Sequence, residues 1–274
     1  MKTFILITTI AAIANFIVAG IITFFIFKKK ELPKKKKFIV QITVFLIVGL
    51  VLFFAGGAVY FGSYYRADER AKSYLTDDND VKVIEIDKGY LFDGPGEDTA
   101  YIFYPGAKVE PTSYAAVLHN LSAKGIDCFL VKMPLNMAML GKEYAGEIMA
   151  DYDYDKWYLG GHSLGGAMAS LYASEHENDI DGMILMAAYS PRKLRDGMKL
   201  ISIAGDNDKV LKWEAYKTNI TNWPKNAVEY IIKGGNHAGF GDYGKQQGDG
   251  KATISSEEQQ RQAVDEIIKM IDNK

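Results

Sequence analysis

The sequence predicts an α/β domain, a mostly parallel sheet with helices on both faces, preceded by a transmembrane helical hairpin. Three observations carry that expectation. From residue 81 onward, short apolar runs alternate with amphipathic ones, as strands do when helices cross between them. One run, Trp157-Tyr158-Leu159, leads into Gly160-Gly161-His162-Ser163-Leu164-Gly165-Gly166, so that a serine falls in a glycine-framed turn between a strand and a helix. Before residue 66 the chain has a different character. Thr3 to Phe27 and Phe38 to Tyr65 contain no charged residue, and each exceeds the roughly 20 residues that cross a hydrocarbon core as a helix.

Charge divides the chain in the same place. The 274 residues hold 32 Lys and Arg against 34 Asp and Glu, yet residues 1–65 contain eight lysines and one glutamate, leaving 24 basic and 33 acidic residues beyond. Lys28 to Lys37 carries seven lysines in ten residues. A short loop that basic is retained on the cytoplasmic side, which puts both ends of the hairpin, and everything after Tyr65, outside the cell membrane. The alternative, a secretory signal cleaved after Ala12-Ile13-Ala14, has against it a weakly basic start and an apolar run that continues past that point. The expected organisation is therefore a two-helix anchor over 1–65 whose partner is membrane lipid through 3–27 and 38–65, a charged juxtamembrane stalk over 66–80, and an α/β domain over 81–274. The acidic balance of that domain argues against nucleic acid. The single cysteine, Cys128, lies in an apolar run and is expected to be buried and unreactive.

Within the domain, Val81 to Ile86 alternates apolar and polar residues like a half-buried strand, and Gly89 to Phe92 is its hairpin partner. Thr99 to Tyr104 is the next strand, followed by Pro105-Gly106-Ala107-Lys108 and a helix from Pro111 to Lys124 closed by Gly125. Ile126 to Met133 reads as a buried parallel strand, Gly141 to Ala150 as a helix, Trp157 to Gly160 as the strand entering the turn and Leu164 to His176 as the helix leaving it. Met183 to Ala188, Leu200 to Ala204 and Val228 to Ile232 are three further buried strands. Glu257 to Ile271 is a closing amphipathic helix. Gly239 to Ser256 reads as an ordered surface loop with no chemical role.

A serine between a strand end and a helix start must occupy a tight turn, which the neighbouring glycines permit and which lifts its hydroxyl clear of the sheet. On Gly161-His162-Ser163-Leu164-Gly165 the chain resembles the α/β-hydrolase superfamily, whose nucleophile elbow this is. The resemblance spans about residues 81–274 and is nearest the small, lidless branch that includes dienelactone-hydrolase-like and carboxylesterase-like proteins. It implies the α/β-hydrolase fold, and an order of serine, then acid, then histidine along the chain. A serine needs an imidazole to take its proton, and the imidazole needs a carboxylate to hold its tautomer. Downstream of Ser163, Gly205-Asp206-Asn207-Asp208 follows a strand, and both acids stand where a loop leaves the sheet edge. The G-x-x-D pattern of the resemblance falls on Gly205 and Asp208, leaving Asp206 to shape the turn. His237 is the only histidine after the acid. His162 adjoins the nucleophile and points elsewhere; His119 and His176 are expected to face solvent or a helix end.

Attack on an ester creates an oxyanion that preorganised N–H donors must meet. Leu164 supplies one, as the first residue of the helix after the nucleophile. The resemblance places the second at Ala107. Relatives often carry His-Gly where this chain has Pro105-Gly106, but a backbone donor does not depend on side-chain identity. The implied activity is a serine hydrolase acting on carboxylic esters, with thioesters and amides as neighbouring possibilities and a small-molecule or lipid-like ester as substrate. Dienelactone hydrolases proper use a cysteine nucleophile, so their substrate does not carry over to Ser163. No metal-ligand spacing is seen, and this mechanism requires no cofactor. The stretch Tyr189 to Lys199 is too short for a lid, and the methionine-rich loop Pro134 to Leu140 reads equally as a pocket wall or as packing. A non-catalytic α/β-hydrolase-like binding domain at the cell surface is the alternative.

Overall fold

A computed structural model describes residues 14–25 and 33–272. The chain forms two compact units, one ending at Ser63 and the other beginning at Tyr64. In the first, α1 (Ala14–Phe25) meets α2 (Lys34–Gly62), where the rings of Phe16 and Phe45 stack 5.8 Å apart. The 29 residues of α2 extend about 43 Å at 1.5 Å per residue, more than the roughly 30 Å of a hydrocarbon core. Among the described residues α2 is the one helix long and apolar enough to cross a membrane. It starts within the lysine run rather than at Phe38, because lysines are good helix formers. Of the first expected span, the described part, 14–25, is helical; its remainder and residues 28–32 of the basic loop lie outside the described residues.

The second unit is built on one eight-stranded sheet in the order β1-β2-β4-β3-β5-β6-β7-β8. Its strands are β1 (Lys82–Ile86), β2 (Gly89–Asp93), β3 (Thr99–Tyr104), β4 (Asp127–Val131), β5 (Lys156–His162), β6 (Gly182–Met186), β7 (Lys199–Gly205) and β8 (Val228–Ile232). From β4 through β8 every pairing is parallel; β1 and β2 form an antiparallel edge. The central strands are apolar at consecutive positions because both faces are covered. In β3, Tyr101 and Phe103 face the cluster that includes Leu118, Leu121 and Ile267. Ala100, Ile102 and Tyr104 face the opposite cluster with Ala145, Ile148 and Ala169. The first cluster is roofed by α4 (Ala115–Ser122) and α8 (Ser256–Asp272), the second by α5 (Tyr144–Asp151) and α6 (Leu164–Glu175).

The differences from expectation have local causes. Strand β5 runs on through both glycines to His162, because a Cβ at Gly160 would come within 1.9 Å of Ile184 O and one at Gly161 within 2.1 Å of Tyr104 O. These contacts let the neighbouring strands close on it. The helix expected from Pro111 begins as a 3₁₀ turn, Pro111–Tyr114, before α4. A seventh helix, α7 (Trp213–Asn219), escaped notice. Residues 66–80 are not a free stalk. They contain α3 (Glu69–Ser73), whose N-cap Asp68 accepts from Ala71 N–H at 3.0 Å. Arg70 pairs with Asp242 at 2.6 Å, a carboxylate almost wholly removed from solvent, and this pair docks the segment on the domain. His119 is likewise buried rather than solvent-facing, its ring against Tyr74 and its Nε2 3.4 Å from Asp78. Cys128 is buried, and burial pushes its thiol up beyond reach of ionisation.

Candidate active site

Ser163 sits between β5 and α6 at φ 53°, ψ −122°. A non-glycine residue held there costs about 1–3 kcal/mol, a strain found where function over-determines the backbone. The turn tolerates no bulk beside it: a Cβ at Gly165 would meet Tyr104 O at 2.0 Å and Pro105 O at 2.4 Å. That close approach brings the start of α6 against the loop leaving β3.

The acid and the imidazole come from the loops after β7 and β8. Asp208 Oδ2 accepts from His237 Nδ1 at 2.7 Å, and both side chains are buried. The other oxygen, Oδ1, accepts from the N–H groups of Val210 at 2.8 Å and Leu211 at 2.7 Å. The carboxylate is thus held at both oxygens and fixes the proton of His237 on Nδ1, leaving Nε2 as the acceptor. Asp206, two residues earlier, is exposed and accepts from Gly234 N–H at 2.7 Å. Together with Asn207 N–H to Gly235 O at 2.9 Å, it laces the two loops together, the turn-shaping part expected of it.

The imidazole of His237 lies beside the elbow: its ring centroid is 4.4 Å from that of His162, the residue before Ser163. The Ser163 hydroxyl makes no hydrogen bond to it in this structure. In unliganded sites such bonds are commonly long or misaligned and tighten when substrate binds. His162 is buried, its Nδ1 2.8 Å from the Tyr114 hydroxyl and its Nε2 without a partner. Burial, and then the neighbouring His237, hold its affinity for a proton well below the usual histidine range.

The loop after β3 shows which donors remain. Gly106 N–H donates to the Tyr114 hydroxyl at 3.2 Å; Lys108 N–H donates to Asn136 O at 2.8 Å and Val109 N–H to Gly106 O at 3.3 Å. Ala107 N–H has no acceptor inside the protein among the described residues. Leu164, first residue of α6, has none within its helix either. Both positions expected as oxyanion donors therefore keep unspent N–H groups. Gly106 is required here, since a Cβ would come within 2.9 Å of both His162 Nδ1 and the Tyr114 hydroxyl.

Two supports were invisible in the sequence. Tyr114 joins the loop of Gly106 to His162, and no local motif marks it. The segment 239–256, expected to be a surface loop without a role, braces the histidine loop instead. Asp249 accepts from Ala238 N–H at 2.9 Å, Gly250 O accepts from Asn236 Nδ2 at 2.8 Å, and Asp242 is buried. Among the described residues no group of His, Cys, Asp and Glu is placed to hold a metal ion.

An elbow serine at a helix start, facing an acid-held imidazole across the C-terminal edge of a parallel sheet, is the architecture of a hydrolase. Residues 100–261 match the model of the alpha/beta hydrolase family, and the chain belongs to that family. No curated protein matches it. Among solved structures, TT1662 from Thermus thermophilus is 12% identical, with a TM-score of 0.53 over 71% of this chain and 99% of that one. The dienelactone hydrolase from Anabaena variabilis is also 12% identical, with a TM-score of 0.53 over 70% and 99%. A predicted CIB-like hydrolase from Thermoplasma acidophilum is 15% identical, with a TM-score of 0.51 over 68% and 96%. At such identities the likeness is one of fold.

Proposed function

We propose that the protein is a membrane-anchored serine hydrolase that cleaves carboxylic esters, or the related thioesters or amides, through an acyl-enzyme on Ser163. The observation that carries this reading is the buried Asp208–His237 pair, joined at 2.7 Å beside the strained elbow serine. His237 Nε2 takes the proton as Ser163 Oγ attacks the acyl carbon, and Asp208 stabilises the imidazolium that results. The oxyanion that forms is met by the N–H groups of Leu164 and Ala107. Its collapse breaks the bond to the leaving group, which receives the proton from His237. A water molecule, deprotonated by the same imidazole, then releases the acid and restores the serine. The anchor is a pair of spans over 3–27 and 38–65 with the lysine-rich loop in the cytoplasm, so that the hydrolase domain works outside the cell membrane. The length and apolarity of α2 and the seven lysines before and at its start support this arrangement.

One experiment tests both halves: a fluorophosphonate probe that cannot cross membranes, applied to intact cells and to lysate, with Ser163→Ala as control. Labelling of the wild type in both, and of the variant in neither, is the expected outcome. Labelling in lysate alone reverses the topology and leaves the chemistry standing. Wild type that labels no better than Ser163→Ala in either sample makes this a non-catalytic binding domain.

A further inference from the structure

We infer that Leu135, Met139 and Leu140 form an acyl-chain lip on this site, and that its substrates are esters of long-chain fatty acids. The inference rests on the hydrolase reading of Ser163 and names the substrate class that reading leaves open. These three side chains are 55%, 53% and 52% exposed. The other large apolar side chains exposed beyond residue 63 are Ile84 on β1, Val228 and Ile231 on β8, and Ile220 after α7, on sheet edges or alone. Three in six residues of one loop is a patch, and apolar patches of this kind mark surfaces that meet another apolar body.

The loop is held in place while its apolar tips are left outside. Ala138 is buried at its centre, and Leu140 N–H donates to Met137 O at 2.9 Å. Beyond its end, the Tyr104 hydroxyl donates to Lys142 O at 2.7 Å. Leu135 and Asn136 both lie at φ 53°, a conformation that costs a branched side chain dearly and that nothing in ordinary loop closure requires. Strain of this sort turns Leu135 outward and turns Asn136 O toward the oxyanion loop, where it accepts from Lys108 N–H at 2.8 Å. The residue bonded to the lip is thus the neighbour of the Ala107 donor, and an acyl group whose carbonyl oxygen is seated there has its chain beside the lip.

The test uses the full chain reconstituted in lipid nanodiscs, with p-nitrophenyl acetate and p-nitrophenyl decanoate. Wild type should show a kcat/KM about tenfold or more higher for the decanoate. The triple variant Leu135→Asn, Met139→Gln, Leu140→Gln, in which asparagine tolerates the left-handed backbone, should lower the decanoate-to-acetate ratio by about tenfold to a hundredfold, as expected when two or three buried apolar contacts are lost. A wild type that prefers acetate, or a triple variant with the wild-type ratio, overturns the inference. Should the triple variant lose both activities, the single Met139→Gln substitution on an exposed side chain decides by the same ratio. Hydrolysis of neither ester by wild type, with Ser163 unlabelled by a fluorophosphonate, overturns the enzymatic reading and this one with it.

Discussion

Two histidine rings lie 4.4 Å apart beneath the elbow, both almost completely buried, and what separates them is the chemistry of the atom each one faces. His237 faces a carboxylate whose second oxygen is already tied to two backbone N–H groups, so a positive charge formed on this ring finds a fixed counter-charge. His162 faces the Tyr114 hydroxyl and, across the gap, the other imidazole. Burial penalises a charge on this ring, and the second histidine penalises it further. In the proposed mechanism the carboxylate is what lets His237 serve as the base, whereas His162 has a hydroxyl in that place. The comparison teaches that two histidines alike in depth and residue type differ here by the partner each one faces.

The sharpest way to break this contrast is to alter the carboxylate while keeping its shape. In Asp208→Asn the amide oxygen stays with the N–H groups of Val210 and Leu211, so the amide NH₂ is presented to His237 Nδ1. That ring must then carry its proton on Nε2, where it cannot accept one from Ser163. The expected loss is roughly 10⁴-fold in kcat, read as ester hydrolysis and as the rate of fluorophosphonate labelling. Asp206→Asn retains its oxygen for Gly234 N–H and should cost about twofold at most, within the range of a surface substitution. Equal losses at the two positions would remove Asp208 from the mechanism.

Tyr114 is the element shared by both sides of the comparison, since its hydroxyl meets His162 Nδ1 and accepts from Gly106 N–H, one residue before Ala107, the proposed donor. Tyr114→Phe leaves the ring in place and orphans both partners. We expect a fall of about tenfold in kcat with KM little changed, because a loosened donor acts on the transition state, together with a stability loss of about 1–3 kcal/mol from the unsatisfied groups. A lowered melting temperature with unchanged kcat would make Tyr114 a packing residue only.

How much of this could be read in advance depends on the range of the interaction. The elbow was legible because its requirements are local: small residues at Gly161 and Gly165, a strand before and a helix after. Asp208 and His237 could be nominated because each stands in a loop at a strand end and because the family resemblance supplied the G-x-x-D pattern and the order of acid before histidine; composition alone did not separate Asp208 from Asp206. The central strands were legible as apolar runs covered on both faces. Partners far apart in sequence were not. Arg70 looks like one more charge in a solvated stretch until Asp242, 172 residues away, is brought to it, and the supposed stalk then becomes part of the domain. His119 reads as a polar residue on a helix surface until Tyr74 and Asp78 cover it. Tyr114 carries no signal at all, because its value comes from where Gly106 and His162 end up. The short α7 is held by Tyr216, which packs with Ala204 and Leu211, too few positions to establish a period.

The smallest expected effect concerns the neutral ring. Its environment holds His162 unprotonated to a pH well below the ordinary histidine range, whereas in the unfolded chain the same side chain takes a proton near pH 6.5. Above that pH neither state binds the proton and the contribution to stability is whole. As pH falls below it the unfolded chain binds more protons than the fold, and stability is lost at up to about 1.4 kcal/mol per pH unit. His162→Gln, which keeps a polar group near the Tyr114 hydroxyl, removes that proton from the balance. Its melting temperature should start lower than wild type at pH 7.5 and fall less steeply between pH 6.5 and 5, while ester hydrolysis stays within about tenfold of wild type because His162 touches no reacting atom. Parallel slopes for the two proteins would mean that the ring accepts its proton inside the fold. In that case burial and the neighbouring imidazole would not be enough to keep His162 neutral.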